Sequence, residues 1–140
     1  MKEVQMTFDF DKEIKSINST LKVYSNTLKK IYNPQKKKVR TCRTETDETN
    51  KPAVYALYES NELKKIGKAV DGGVCKRMMQ YYNGYKTGGL STITNNNRDN
   101  INVRYVNLSS AEDCWIMERR LQVIAYDQGE KMPWEIKTRN

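Results

Sequence analysis

Residues 53–85 read AVYALYESNELKKIGKAVDGGVCKRMMQYYNGY, and the order of elements in that stretch decides the fold. Ala53 to Tyr58 is rich in β-formers, Glu59-Ser60-Asn61-Glu62 is a turn-forming tetrad, and Leu63 to Ala69 reads as the returning strand of a hairpin. Asp71-Gly72-Gly73 breaks the chain, and Val74 to Asn83 then reads as a helix ended by Gly84. Tyr55 and Lys65 are carried on adjacent paired strands. Arg77 and Tyr81 fall on one helix face, because side chains at i and i+4 are neighbours there. Four polar groups therefore have a route to convergence.

Toward the C-terminus, residues 86–100 carry Gly88-Gly89 and a run of Asn without periodicity, which reads as a long loop. Ile101 to Leu108 alternates as a third strand. Ser109 with Glu112 forms a capping box opening a helix to about Asp127, before Gly129. Cys114, Met117, Leu121, Ile124 and Ala125 make its buried stripe, and Glu118 lies at the flank. A carboxylate there needs a partner, because an unpaired buried one costs several kcal/mol. A metal ion would satisfy it, as would pairing with Arg119 or Gln122 on the helix surface. Trp134 is expected to pack back on the domain.

Toward the N-terminus, Phe10, Ile14, Ile17, Leu21, Tyr24, Leu28 and Ile31 recur at alternating steps of four and three. That is the seam of an amphipathic helix, with Asp9 and Asp11 at its start and Asn33-Pro34 at its stop. Two uses remain open: a homodimer through the N-terminal helix, or a core helix docked on the rest of the chain. From Gln35 to Lys51 the sequence turns polar, and Lys36, Lys37 and Lys38 either lie on a phosphate backbone or form a solvated run. The division expected is a helical extension over 1–34, a basic and polar linker over 35–52, and a folded domain over 53–140. The fold class is α+β, with a small central antiparallel three-stranded sheet flanked by helices.

The chain has 25 Lys and Arg against 17 Asp and Glu, a formal net charge of +8. Residues 1–52 carry 12 basic and 7 acidic groups, leaving 13 and 10 for 53–140, so both parts are basic. A polyanion is the natural partner, since each Lys or Arg set on a phosphate releases condensed counterions; a merely basic surface is the alternative. No apolar run approaches the roughly 20 residues of a membrane span. The N-terminus MKEVQMTFDF places acids where a signal peptide would be apolar, so a cytoplasmic protein with no membrane partner is expected. Three cysteines, far apart and in no CxxC pair, argue against a disulfide framework or a zinc knuckle. The absence of histidine excludes Ser-His-Asp, Cys-His and HEXXH chemistry. Hydrolysis by this chain has to use Tyr, Lys, Arg and carboxylates.

Taken in order, Ala53-Val54-Tyr55, Lys65-Ile66-Gly67, the R-x-x-x-Y of Arg77 and Tyr81, a third strand and a helix with Glu118 resemble the GIY-YIG nuclease superfamily. Ala53 stands for the first glycine. Lys65 stands where the second motif usually has tyrosine, which resembles the restriction-enzyme-like branch, as does Tyr81. The resemblance implies metal-dependent hydrolysis of DNA phosphodiesters, with Mg²⁺ or Mn²⁺ held by Glu118. It implies that Arg77 stabilises charge on the phosphoryl oxygens, that Tyr55 takes a proton from the attacking water, and that Tyr81 hydrogen-bonds the water or phosphate. A phenol of ordinary pKa near 10 is a poor base at neutral pH, so Lys65 and Arg77 are expected to lower that of Tyr55. Lys64 and Lys68, around Gly67, suit DNA-backbone contacts. The setting implied is restriction-like, phage-encoded or that of another mobile element. Two other readings stand beside it: a non-catalytic DNA-binding regulatory protein derived from such a nuclease, and a basic interaction protein organised by the heptad helix.

Overall fold

The computed structural model describes residues 8–31, 51–82 and 98–135. Its elements in chain order are α1 (Phe10–Ile17), β1 (Val23–Thr27), α2 (Leu28–Ile31), β2 (Ala53–Glu59), β3 (Glu62–Ala69), α3 (Gly73–Tyr82), a 3₁₀ turn (Arg98–Asn100), β4 (Ile101–Asn107) and α4 (Ala111–Asp127). The fold is α+β.

The strands form one antiparallel sheet of order β1-β4-β2-β3, so the sheet has four strands where three were expected. The fourth, β1, comes from the segment read as the second half of an N-terminal helix. That helix stops at Ile17. Asn18 caps it through its backbone N–H on the Ile14 carbonyl, and its side-chain oxygen accepts bonds from the Thr20 amide and hydroxyl, at 3.0 and 2.6 Å. Such local bonds compete with helix continuation, and Val-Tyr-Ser-Asn-Thr that follows favours a strand over a helix. The seam residues are buried (Phe10, Ile14, Leu28) or half-buried, but on opposite faces of the sheet. Phe10 and Ile14, with Ile17 and Leu21 beside them, pack on one face, whereas Leu28, with Tyr24 and Ile31, packs on the other. Strand β1, at the sheet edge, carries the chain between the two.

Central strand β2 explains both cores. Val54, Ala56 and Tyr58 point to the face covered by α1 and α4, and Ala53, Tyr55 and Leu57 to the face covered by α2, α3 and Trp134. An unbroken apolar run is what a strand covered on both faces requires. The Tyr58 hydroxyl ties down the start of α1, accepting from the Phe10 N–H at 3.2 Å and donating to the Phe8 carbonyl at 3.0 Å.

The β2–β3 turn places Ser60 and Asn61 at φ 55° and 67°, the left-handed pair that a two-residue hairpin loop of type I′ needs. A bulge follows: Tyr58 pairs with Leu63 but Leu57 pairs with Lys65, so Lys64 is an extra residue. The bulge sets the face of Lys65. Strict alternation from Leu63 would send Lys65 to the α4 face; the inserted residue sends it to the face of Leu57 and Tyr55 instead.

Helix α4 is capped by Ser110, whose hydroxyl accepts from the Asp113 N–H at 3.1 Å. The cap lies one residue beyond the expected Ser109–Glu112 box. Cys114, Leu121 and Ala125 are buried with Met117 and Ile124 packed against them, as the wheel indicated. Trp134 packs back on the sheet. Cys114 is a buried free thiol, while Cys75 is disulfide-bonded, a single bridge that the spacing of the three cysteines did not suggest. No helix among the described residues is long and apolar enough to cross a membrane. Lys36, Lys37, Lys38 and most of the expected linker lie outside the described residues.

If the seam is buried within one chain, Leu28→Ala should destabilise by about 2–5 kcal/mol. The urea midpoint should not depend on protein concentration. A concentration-dependent midpoint for the parent would mean instead that the seam is buried between copies.

Candidate active site

The site is built around a close approach. Tyr55 stands on β2 directly across from Gly67 on β3, and its ring leans over the Gly67 backbone. A Cβ at Gly67 would sit 2.6 Å from the Tyr55 hydroxyl oxygen and 2.7 Å from ring carbon Cζ. Only glycine leaves that space. The phenol thereby lies over β3, an edge strand, where it lines the cleft.

Helix α3 brings the second phenol. Tyr81 lies edge-on to Tyr55, with centroids 6.4 Å apart and planes at 78°, and the two hydroxyls share a hydrogen bond of 2.8 Å. Arg77, one turn earlier on the same face, is partly exposed and has no ion-pair partner among the described residues. From the other side of the sheet, α4 presents Glu118. Its carboxylate is 3.2 Å from the Lys68 ammonium. The pairing with Arg119 or Gln122, one of the two alternatives for this carboxylate, is replaced by one across to β3.

These groups line one cleft of about 430 Å³, which holds Tyr55, Lys65, Arg77, Tyr81 and Glu118 together. Lys68 lines it as well. Lys64 does not: as the bulge residue it turns away, 2.8 Å from Glu62 and 6.0 Å from the Trp134 ring centroid. Asp71, Lys76 and Gln80 also line the cleft and were missed from the sequence. Lys76 was detectable as the neighbour of Arg77 at the helix start, whereas Asp71 looked like a turn residue only. Four cations (Lys65, Lys68, Lys76, Arg77) against two carboxylates (Asp71, Glu118) leave the cleft at +2.

The pKa shifts change one expectation. Burial pushes the Tyr55 phenol well above its ordinary value of 10, with Tyr81 acting in the same direction and Arg77 opposing. Lys65 does not offset this. Tyr81 is also raised by burial, against the hydrogen bond from Tyr55 and the charge of Arg77. Both phenols are therefore neutral at neutral pH and act as hydrogen-bonding groups, not as bases, in this state. Burial also raises Glu118, outweighing the attraction of Lys68. Relative to the unfolded chain, the folded state binds the Glu118 proton more tightly, so this group's contribution to stability declines as pH rises through its folded pKa.

The donor chemistry fits a hard divalent cation held by one carboxylate. Among the described residues no cluster of three His, Cys, Asp or Glu side chains is placed to hold a metal. A Zn²⁺ or Ca²⁺ cage is therefore not formed by them, whereas an ion that keeps most of its waters needs little more than Glu118. Lys68 would have to yield part of its contact.

No protein-family model and no curated protein matches the chain. Two solved structures of point mutants of the GIY-YIG N-terminal endonuclease domain of UvrC from Thermotoga maritima, each bound to its catalytic divalent cation, align with 73% of this chain and 99% of their own length. Identity is 17% and 16%, and the TM-score is 0.46 in both.

Gly67→Ala should displace the Tyr55 ring. We expect it to cost about 1–3 kcal/mol by thermal unfolding and to lower any reaction at the cleft on the order of 100-fold. An unchanged Tyr55 environment by NMR and unchanged turnover would show that the close approach is dispensable.

Proposed function

We propose that this chain is a divalent-metal-dependent endonuclease that hydrolyses phosphodiester bonds in DNA. The observation that carries this reading is the meeting of Tyr55, Lys65, Arg77, Tyr81 and Glu118, from four separate elements, in one basic cleft. Phosphoryl transfer needs positioning and charge stabilisation more than covalent chemistry from the protein, and these are the group types present.

Glu118 would hold Mg²⁺ or Mn²⁺. When bound, the ion supplies positive charge for the phosphate and for the leaving oxygen. Arg77, without an ion pair among the described residues, offers its planar fork to the non-bridging phosphoryl oxygens. Lys65 and Lys68 offer ammonium groups to the same phosphate or its neighbour. The paired hydroxyls of Tyr55 and Tyr81 orient the attacking water. Tyr55 becomes a proton acceptor only if added positive charge in the cleft overcomes the burial that now holds it neutral. DNA as the substrate fits the net charge of +8. Lys65 in the second-motif position supports a restriction-like enzyme or one carried by a phage or other mobile element.

A second reading, a non-catalytic DNA-binding regulatory protein, is favoured by one contact. Lys68 occupies Glu118 at 3.2 Å, a contact a metal ion would have to displace in part.

Incubation with supercoiled plasmid and Mg²⁺ separates the two. The parent should produce nicked or linear DNA, EDTA should stop it, and Glu118→Gln should abolish it without lowering Tm, because burial already disfavours the charge at that position. Plasmid retardation without cleavage would support the binding protein. At subsaturating Mg²⁺, activity should fall on acidification at a pH above that set by an ordinary carboxylate of pKa 4.5, because only ionised Glu118 holds the ion and burial raises its pKa. A midpoint below 4.5 would show that Lys68 dominates burial.

A further inference from the structure

One carboxylate beside the cleft has no role in the account above. Glu135, in the segment after α4, accepts three bonds. Its Oε2 takes the Ile66 backbone N–H at 2.8 Å and Gln122 Nε2 at 3.3 Å, and its Oε1 lies 3.4 Å from the Lys65 ammonium. Gln122 Nε2 also donates to the Ile66 carbonyl at 3.0 Å. Both backbone polar groups of Ile66, on the open edge of β3, are thus held by side chains. The backbone before Glu135 is fixed as well, since the Trp134 N–H donates to the Lys64 carbonyl at 3.0 Å and the Trp134 ring is buried.

We propose that Glu135, with Gln122, is the positioning group that sets Lys65 against the substrate phosphate; this rests on the hydrolase reading of the cleft. The geometry supports it in three ways. A lysine ammonium ends a stem with high rotamer freedom and needs an anchor to be held in one place. The Lys65 and Glu135 side chains are 13% and 12% exposed, so their attraction is weakly screened. Gln122 lies one turn from Glu118 on α4, so the same contact spaces Lys65 from the proposed cation-holding carboxylate. An ammonium has three donors, and one bond to Glu135 leaves others for a phosphate.

A purely structural clasp and a positioning group differ in sign. Glu135 places a negative charge beside a polyanion, so it opposes ground-state binding of DNA while ordering Lys65. Its neutral isostere keeps an oxygen for the Ile66 N–H but turns a donor toward the ammonium. Removing the charge should therefore leave DNA affinity unchanged or tighter and still reduce turnover, the mark of an interaction made in the transition state.

The test uses the full chain, with Glu135→Gln in parent and Lys65→Met backgrounds. It measures plasmid turnover in Mg²⁺, affinity for a short duplex in EDTA, and Tm. In the parent background kcat should fall about 10-fold to 100-fold, with affinity equal or tighter. In the Lys65→Met background Glu135→Gln should change kcat no further. Unchanged kcat in the parent background, or the same fall in both backgrounds, would overturn the proposal. If Glu135→Gln unfolds, Glu135→Asp keeps the charge but shortens the reach, and unchanged kcat there overturns it equally. If the parent does not cleave, the hydrolase reading fails separately, and the duplex-affinity cycle decides: non-additive effects of Glu135→Gln and Lys65→Met support positioning, and additive effects overturn it.

Discussion

The passage of the Tyr55 phenol over the bare backbone of Gly67 is the constraint on which the site depends. It requires β2 to lie inside the sheet and β3 at its edge, so that a ring rooted in the core, and itself buried, lines the cleft beside the edge strand. It also requires that no side chain stand at Gly67, where a Cβ would meet the hydroxyl at 2.6 Å. Because β3 is the last strand, the cleft can be reached from both faces of the sheet at that point. Tyr55, Tyr81, Lys65 and Arg77 come from the α3 face, and Lys68 and Glu118 from the α4 face. Glycine is where the two sets meet. The bulge at Lys64 completes the arrangement, since without it Lys65 would project to the wrong face.

Electrostatically the cleft is a set of charges held apart by pairing. Lys65 is anchored on Glu135 and Lys68 on Glu118, one on each side of Gly67, while Arg77 has no such partner among the described residues. The guanidinium and the Lys76 ammonium, which likewise has no ion pair among the described residues, are thus the cations open to an arriving anion. The two anchored lysines can exchange a carboxylate for a phosphate without crossing the cleft. Burial raises the pKa of both phenols and of Glu118, so the site disfavours negative charge on its own groups in the state described. A site that resists its own anions and concentrates cations is complementary to an anion from outside. The same burial makes proton abstraction by Tyr55 depend on charge that arrives later, which ties any base function to ligand binding.

What was legible in the sequence follows from the range of the interactions involved. Hairpin, turn and helix in 53–82 are local: Ser60-Asn61 dictate the turn, Gly72-Gly73 the break, and i to i+4 spacing the shared face of Arg77 and Tyr81. Those positions, with Glu118 at the flank of the α4 stripe, could be read from residue types and short spacings, and they are the ones found in the cleft. The N-terminal helix misled because steps of four and three, read as one face of a helix, also describe a chain that packs a helix on one side of a sheet and, after an edge strand, a second turn of helix on the other. Periodicity reports that Phe10 and Leu28 are buried; it does not report that they are buried in different cores. Asn18 and Thr20 make the break through side-chain bonds that the spacing of apolar residues does not register. The partners of the charged groups were least legible. Lys68 meets Glu118 across 50 positions and Lys65 meets Glu135 across 70. No local pattern encodes contacts of that range, which exist only because the fold brings the last helix and the residues after it back against the edge strand.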